Sequence, residues 1–226
     1  MANWLFDYGH GGHDSGAINN TRTEKNDVLK IGRLVDKIMV ENGESIRLTR
    51  TNDTFLSLEQ RCNIEKAGNY DYFVSFHRNA YKDSGANGAE TYSLATTGKG
   101  RELAIKVQTE LNNFFTNRGC KTANYYVLKY TRCPSILIEI GFISSSKDNS
   151  IFDNNINAIA EAIAKALLKQ VGKTLNDNKP VPPVTPPPSE KGWRVCIGYY
   201  KDYNNAKKAI EEAKQKGFTS AYMVEY

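Results

Sequence analysis

A cluster of prolines near the C-terminal end divides the chain into two parts that fold separately. Six of the seven prolines lie between Pro180 and Pro188, in the sequence KPVPPVTPPPSEK. Proline has no amide hydrogen to donate and its ring fixes φ, so this stretch favours an extended polyproline II spacer over packed structure. We therefore predict a domain over residues 1–172, a linker over 173–190 and a small unit over 191–226.

Apolar strands and amphipathic helices alternate along the first domain. Strands are predicted at 4–6, 46–49, 72–76, 89–94 and 135–140, and helices at 24–41, 57–67, 100–115 and 156–171. Alternation of this kind is typical of an α/β domain, in which a twisted, mostly parallel sheet is flanked by helices.

The segment after the linker predicts a single βαβ unit. It has strands at 193–199 and 219–224 and a helix at 204–216 that ends at Gly217. Such a unit is too small to bury a core of its own, and its strands would have unpaired edges.

Charge and composition favour some partners over others. The net charge of +5 suits an anionic partner such as nucleic acid, a membrane surface or a cell-wall polymer. No run of basic residues is interleaved with aromatics, and no stretch approaches the ~20 apolar residues of a membrane span. We therefore expect neither nucleic acid nor a membrane as a partner.

The N-terminal sequence and the cysteines suggest where the chain is made. The first residues lack the basic region of a secretory signal, so we expect synthesis in the cytoplasm, where thiols stay reduced. We interpret the four cysteines as ordinary core or surface residues. They are Cys62, Cys120, Cys133 and Cys196.

The three histidines lie in or beside loops that follow predicted strands. His10 and His13 belong to DYGHGGHDSGA, and His77 belongs to SFHRNA. Ligands in open α/β sheets gather at the carboxyl ends of strands. Imidazoles there, together with one carboxylate, could hold zinc and leave one coordination position for water. Taken singly, each histidine is more often an ordinary surface or core residue.

Glu139 interrupts the apolar strand sequence ILIEI. A buried charge costs several kcal/mol unless it is paired. One interpretation is a buried ion pair. The other is a carboxylate beside a metal site, acting first as general base and then as general acid.

Several blocks of the first domain, in order, resemble the zinc-dependent N-acetylmuramoyl-L-alanine amidase family called amidase type 3. They are DYGHGGHDSGA with Glu24 after it, LTRTND from Leu48, LEQR from Leu58, SFHRNA from Ser75, GAETY from Gly88 and IEIGFIS from Ile138. The resemblance implies zinc ligands at His10, Glu24 and His77 and a catalytic carboxylate at Glu139. It also implies hydrolysis of the amide between N-acetylmuramic acid and L-alanine in bacterial peptidoglycan.

Some positions depart from the family pattern or have open roles. Tyr8 stands where the family usually has proline, and His13 matches no family ligand, so we expect a loop residue that lines the cleft. Arg78 occupies a position that is often small and would either reach a substrate carboxylate or be solvated. Asn79 and Glu90 are candidates for supporting roles around the site, with a structural role equally open.

The C-terminal unit resembles one half of a SPOR domain, a peptidoglycan-binding fold of two βαβ halves. The matching residues are WRVCIGYYKDYNNA from Trp193 and Lys216-Gly217-Phe218. Since only one half is present, the resemblance implies that two chains each supply one. We therefore expect a homodimer formed through residues 191–226.

Two other functions remain open at this point. A catalytically inactive wall-binding protein would retain the fold, and a zinc carboxypeptidase acting on stem peptides would use a similar ligand set. The biological setting has two alternatives: an endolysin released by a holin, or an amidase that lyses the mother cell of a spore former. The modular layout and short length favour the endolysin.

Overall fold

The computed structural model describes residues 1–82, 85–175 and 203–215. The chain divides into two compact units, Met1–Val181 and Pro182–Tyr226. In the second unit the described residues form one helix, and the strands predicted at 193–199 and 219–224 lie outside the described residues.

The described residues of the first unit form a six-stranded sheet, a two-stranded ribbon and five helices. Its strands are β1 (Asn3–Tyr8), β2 (Ile18–Asn19), β3 (Arg22–Thr23), β4 (Ser45–Leu48), β5 (Tyr72–Asn79), β6 (Ala89–Ser93), β7 (Asn117–Thr122) and β8 (Ser135–Phe142). Its helices are α1 (Glu24–Glu41), α2 (Leu58–Ala67), α3 (Gly98–Leu111), α4 (Tyr126–Tyr130) and α5 (Ser146–Gln170). Helix α6 (Tyr203–Gln215) belongs to the second unit, at the position of the predicted helix.

The main sheet is mostly parallel, which confirms the predicted fold class. Its strand order is β4-β1-β5-β8-β6-β7, and β2 and β3 form a separate two-stranded ribbon. The pairs β1–β4, β1–β5, β5–β8 and β6–β7 are parallel, whereas β6 runs antiparallel to β8.

The larger core lies between one face of this sheet and three helices. Helices α1, α3 and α5 supply most of its helical side chains, and alternate residues of the strands, such as Phe6, Val74 and Ile138, supply the rest. Tyr8 is fully buried there, with its ring 5.9 Å from that of Phe76. Gly32 of α1 makes room for it, since a Cβ at this position would lie 2.1 Å from Tyr8 Cε1.

The opposite face carries a smaller core beneath α2 and α4. Leu5, Phe73 and Leu137 of the sheet contact Cys62, Val127 and Leu128 of these two helices. Because the two helices are short, they cover only part of this face.

Most predicted elements are found close to their predicted limits. Helix α1 spans the predicted residues, and α2 begins after Ser57, which forms a capping box with Gln60. Helix α5 begins ten residues earlier than predicted, because non-helical backbone at Asn155 separates its first part from the apolar stripe that predicted 156–171. Strand β5 continues through Asn79, so that His77 lies on the strand itself.

Strand β7 and helix α4 were not predicted. Strand β7, with the sequence NRGCKT, lies at the sheet edge with partly or fully exposed residues, and α4 has only five residues, so neither has an apolar pattern long enough to identify it.

The cysteine and membrane predictions can be compared with the described residues. Cys62, Cys120 and Cys133 are free thiols, and Cys196 lies outside the described residues. No helix within the described ranges is long and apolar enough to cross a membrane.

Candidate metal centre

Three candidate ligands come together from three different parts of the first unit. His10 follows β1, Glu24 is the first residue of α1, and His77 lies near the carboxyl end of β5. His77 Nδ1 is 2.9 Å and His10 Nε2 is 3.1 Å from the same Glu24 oxygen, Oε1. One potential ligand atom from each residue lies within 4.8 Å of the other two. The structure therefore brings together all three residues for which the sequence implied metal binding.

The donor set of this cluster fits a divalent metal such as zinc. Two ligands at about 2.1 Å from a tetrahedral zinc ion would be separated by about 3.4 Å, close to the contacts that Glu24 makes with the two histidines. His10 Nδ1 lies 2.9 Å from Asp14 Oδ2, which fixes the orientation of the imidazole and leaves Nε2 directed at the cluster. Three protein ligands would leave one coordination position open.

Two glycines allow the ligand loop to pack against the cluster. A Cβ at Gly9 would lie 2.4 Å from the His77 ring, and a Cβ at Gly16 would lie 2.6 Å from both Glu24 and His10. His10 itself has a φ of 60°, a left-handed conformation that a residue with a side chain seldom adopts. The glycine-rich sequence therefore allows the backbone to approach the candidate ligands closely.

Two buried arginines hold this loop by its carbonyl groups. Arg50 donates to the carbonyls of Tyr8 and Gly9, and Arg61 donates to those of Tyr8 and His10. These contacts cross at least 40 residues of sequence and fix the backbone on both sides of Gly9.

A buried aspartate completes this support. Asp7 accepts hydrogen bonds from Arg61, Ser75 and Thr49 at 2.6 to 2.8 Å. Burial alone would raise the pKa of Asp7, but the charge and hydrogen bonds of Arg61 hold it below its ordinary value. Sequence reasoning noted Arg50 and Arg61 only as parts of similar blocks and did not identify these residues as supports of the site.

The electrostatics of the cluster are dominated by Glu24. Besides the two histidines, it accepts backbone hydrogen bonds from Arg78 and Ala17. Burial would raise the pKa of Glu24, but hydrogen bonds from His10 and His77 hold it well below its ordinary value. Glu24 is therefore ionised at neutral pH and available as an anionic ligand.

Glu139 lies directly beside the cluster on the neighbouring strand. Its Cα is paired in the sheet with that of His77 on β5 and with that of Glu90 on β6, so the three side chains share one face. Its Oε2 is buried and has no hydrogen-bond partner among the described residues. Burial, and then the charges of Glu24 and Glu90, raise the pKa of Glu139 well above its ordinary value. No cation pairs with it in the described ion pairs, which disfavours the interpretation as a buried ion pair.

Asn79 and Glu90 contact each other next to Glu139. Asn79 Nδ2 donates to Glu90 Oε1 at 2.8 Å, and Tyr92 donates its hydroxyl to the same oxygen at 2.7 Å. The other Glu90 oxygen accepts from Arg118 at 2.9 Å and from Lys121 at 2.5 Å. Both predicted candidates therefore lie at the site.

Arg78 is neither solvated nor directed at the site, the two positions expected from the sequence. Adjacent strand residues point to opposite faces, so Arg78 enters the larger core and is only 1% exposed. There it pairs with Asp27 at 2.6 Å, donates to Asn149 and lies 4.3 Å over the Phe152 ring. The expectation that Arg78 would be solvated or reach a substrate carboxylate was therefore wrong.

His13 does not join the ligand cluster. Its side chain is exposed on the loop, and its ring lies 4.0 Å from that of Phe55. It remains a loop residue, as expected from the sequence.

Together, the α/β sheet and the site define a class of protein, the metal-dependent hydrolases. Two imidazoles and one carboxylate surround one point at the carboxyl ends of parallel strands, and a second carboxylate with a raised pKa lies beside them. The model of one family, described as N-acetylmuramoyl-L-alanine amidase, matches residues 5–169. The chain belongs to this amidase type 3 family, as the resemblance implied.

Proteins from several bacteria are similar to this chain. N-acetylmuramoyl-L-alanine amidase LytC of Bacillus subtilis (strain 168) is 41% identical over 150 residues, which are 65% of this chain and 30% of LytC. The probable cell wall amidase LytH of Staphylococcus epidermidis (strain ATCC 12228 / FDA PCI 1200) is 33% identical over 168 residues, which are 72% of this chain and 56% of LytH. The match thus spans 30% of LytC and 56% of LytH.

A solved structure shares the fold of the first unit. The catalytic domain of CwlV, an N-acetylmuramoyl-L-alanine amidase from Bacillus (Paenibacillus) polymyxa var. colistinus, superposes with a TM-score of 0.72 and 31% identity. The superposition covers 76% of this chain and 99% of the CwlV domain.

Proposed function

We propose that this protein is a zinc-dependent peptidoglycan hydrolase that cleaves the amide between N-acetylmuramic acid and L-alanine. The observation that carries the proposal is the contact of His10, Glu24 and His77 around one point, with Glu139 paired beside His77 on the next strand. Membership of the amidase type 3 family and the names of LytC and CwlV support the choice of bond.

His10, Glu24 and His77 would hold the metal. Bound zinc would polarise the scissile carbonyl and lower the pKa of water to about 7. A cation at this position would also supply the positive charge that Glu139 lacks beside Glu24 and Glu90.

Glu139 carries the proton in the proposed reaction. A carboxylate accepts a proton from the attacking water and then donates it to the leaving nitrogen, so that the amine departs neutral. The partial burial of Glu139 keeps bulk water from competing for the proton. Asn79, Glu90 and Tyr92 fix the polar surface next to it.

Metal removal tests the proposed cofactor. Chelation of the purified protein should abolish cleavage of peptidoglycan, and addition of zinc should restore it. The variants His10→Ala and His77→Ala should lose bound metal, whereas His13→Ala, an exposed histidine of the same loop, should retain it. Full activity of metal-free protein would refute the metal assignment.

Mass spectrometry of wall digests tests the bond. An amidase releases intact stem peptides with a free L-alanine amine, whereas a carboxypeptidase releases only terminal amino acids. An inactive wall-binding protein would release nothing. Either of the last two results would refute the proposed activity.

For the second unit we propose wall binding and self-association through residues 191–226. Support comes from the resemblance to half of a SPOR domain and from helix α6 at the predicted position. Light scattering of the full chain should give twice its mass of 25.3 kDa, and a chain truncated after residue 175 should be monomeric. A monomeric full chain at micromolar concentration would contradict self-association.

The biological setting we propose is that of an endolysin that reaches the wall after its release by a holin. The modular layout of a catalytic and a binding unit supports this choice over a mother-cell amidase. Coexpression with a holin in a susceptible host should cause lysis, and expression alone should not. Lysis without a holin would contradict this setting.

A further inference from the structure

A row of polar residues extends from the metal cluster to the edge of the sheet. His77 on β5, Glu139 on β8 and Glu90 on β6 are neighbours in register on three adjacent strands. Arg118 on the edge strand β7 continues the row through its hydrogen bond to Glu90. Lys121, paired in the sheet with Tyr92, lies on the same face and contacts the same Glu90 oxygen.

Two cations share the single carboxylate of Glu90. Burial would raise the pKa of Glu90, but hydrogen bonds from Lys121, Tyr92 and Arg118 hold it below its ordinary value. Glu90 is therefore an anion, and its two cationic partners leave one positive charge uncompensated among the described ion pairs. The side chains of Arg118 and Lys121 are 36% and 40% exposed, so both are accessible from the site face.

Arg118 is held in position to bind a second anion. Its Nε is bonded to Glu90, its guanidinium lies 4.8 Å over the Phe142 ring, and Nη1 makes only a 3.5 Å contact with a backbone oxygen. Nη2 has no hydrogen-bond partner among the described residues. A guanidinium fixed in this way can offer its free N–H groups to a carboxylate without ordering a flexible side chain.

The opposite side of the domain has a comparable ion cluster. Lys165 and Lys169 of α5 share Glu110 of α3 at 3.0 and 2.9 Å. These two lysines join two helices on the face away from Glu139. The Glu90 and Glu110 clusters each have two cations on one carboxylate and differ in their distance from the site, so the Glu110 cluster is a matched control.

We propose that Arg118 and Lys121 bind a carboxylate of the peptide on the leaving side of the scissile amide. This inference rests on the proposed function. In the substrate the sugar side has no free carboxylate, because the lactyl group of N-acetylmuramic acid is already joined in the amide. The free carboxylates of peptidoglycan lie on the stem peptide, so the surplus positive charge assigns that side of the cleft to the peptide.

The distance from Glu139 to the two cations matches the position of the second residue of the stem peptide. Adjacent strands are about 4.8 Å apart, so β7 lies roughly 10 Å from β8, and the long side chains of Arg118 and Lys121 reach back toward Glu139. An extended peptide advances about 3.5 Å per residue. A carboxylate on the residue after L-alanine would thus lie within reach of both cations while the amide is beside Glu139.

The test compares two soluble substrates that differ in one charge. They are N-acetylmuramoyl peptides whose second residue is D-glutamate with a free α-carboxylate or D-isoglutamine with an amide there. The zinc-loaded full chain should cleave the acid with a kcat/KM about tenfold higher, the scale of one charged hydrogen bond at a partly exposed site. Added salt should reduce this preference.

The variants Arg118→Gln and Lys121→Gln should each lower the ratio of the two kcat/KM values toward one. A general structural defect would lower both kcat/KM values and leave their ratio unchanged, so the ratio separates binding from stability. The controls Lys165→Gln and Lys169→Gln should keep the wild-type ratio.

Two results would overturn the inference. Equal cleavage of the two substrates by the wild-type protein would refute it while leaving the proposed function intact, and so would a preference that neither variant changes. Cleavage of neither substrate, nor of whole peptidoglycan, by the zinc-loaded protein would refute the proposed function together with the inference.

Discussion

His77 and Arg78 are neighbours in the chain but serve opposite sides of the sheet. His77 faces Glu24 at the metal cluster, and Arg78 is buried against Asp27 beneath α1 and α5. The backbone N–H of Arg78 nevertheless donates to Glu24 at 3.0 Å. The dipeptide His77-Arg78 therefore contacts the candidate ligand Glu24 on one face of the sheet and side chains of α1 and α5 on the other.

Glu139→Gln tests the proposed proton carrier at the scale of a single residue. The amide has nearly the same shape but cannot accept and return a proton, so turnover should fall about 10²-fold or more. Metal content should be unchanged, because Glu139 is not one of the three clustered ligands. Single-turnover assays and metal analysis of the purified variant measure the two effects.

The matched control is Glu59→Gln, which changes an exposed carboxylate on α2 and should leave turnover unchanged. Near wild-type turnover of Glu139→Gln would mean that another group moves the proton.

At the scale of elements, helix α1 connects the ligand cluster to the core. Its first residue, Glu24, contacts both histidines, and Gly32, two turns later, receives the ring of Tyr8. The aromatic ring of Tyr8 fills more of the core than the smaller ring of proline would. His10 still contacts Glu24. The departure from the family pattern is thus accommodated within the helix rather than in the ligand loop.

Gly32→Ala should destabilise the fold by about 1–3 kcal/mol, the usual cost of overpacking a core. The new Cβ would lie 2.1 Å from Tyr8 Cε1, so the ring or the helix must move. Urea unfolding of the single variant measures the loss. Adding Tyr8→Leu should recover part of it, because the two positions are in contact and their effects are not additive. Additive losses would contradict a direct clash.

The Glu110 cluster between α3 and α5 predicts a pH-dependent contribution to stability. Burial would raise the pKa of Glu110, but hydrogen bonds from Lys169 and Lys165 hold it below its ordinary value. A carboxylate with a lowered folded pKa stabilises the fold above its unfolded pKa, about 4.3. This contribution is lost as pH falls through the lower folded pKa.

Glu110→Gln should therefore lower the urea midpoint at pH 7 and have a smaller effect at pH 3. The difference at pH 7 should be below about 1 kcal/mol, since both lysines are about half exposed and screened by solvent. Glu102→Gln, an exposed carboxylate on the same helix, is the control for a general charge effect. An effect of Glu110→Gln that is independent of pH would contradict the linkage.

At the scale of the whole molecule, the strand order decides which residues share the site. Strand β8 lies between β5 and β6 in the sheet although it follows both in sequence. Glu139 is thereby inserted between His77 and Glu90. The register of β6 pairs Glu90 with Glu139, and Arg118 and Lys121 of the edge strand β7 contact Glu90 from the same face.

Removal of the second unit tests whether the first unit catalyses cleavage alone and whether the second unit targets the wall. A chain that ends after residue 175 retains the family-matched residues 5–169 and should cleave soluble muropeptides at the full-length rate. It should lyse whole cells poorly, because tethering to the wall raises the local concentration of the catalytic unit without new contacts at the scissile bond. Turbidity assays on cells compare the two forms. Equal lysis by both would show that residues 176–226 do not target the wall.

The sequence by itself determined the fold class and the members of the ligand cluster. Helix α1 and the buried strands β1, β5 and β8 follow from apolar periodicity, which is a local property of the chain. The roles of His10, Glu24, His77 and Glu139 followed from the resemblance of the surrounding sequence blocks to the amidase type 3 family, because the residues alone left the carboxylate ligand and the role of Glu139 open. Alternation along β5 would also have assigned Arg78 to the face opposite His77.

The tertiary structure alone decided how these residues are supported. Arg50 and Arg61 hold the ligand loop across at least 40 residues of sequence, and Arg118 and Lys121 reach Glu90 from an edge strand that has no apolar pattern. Such contacts depend on the order and direction of strands, which are set by packing of the whole core. Local sequence does not predict these long-range contacts, because each of the polar side chains could equally be exposed to solvent. Only the folded core brings the partners together.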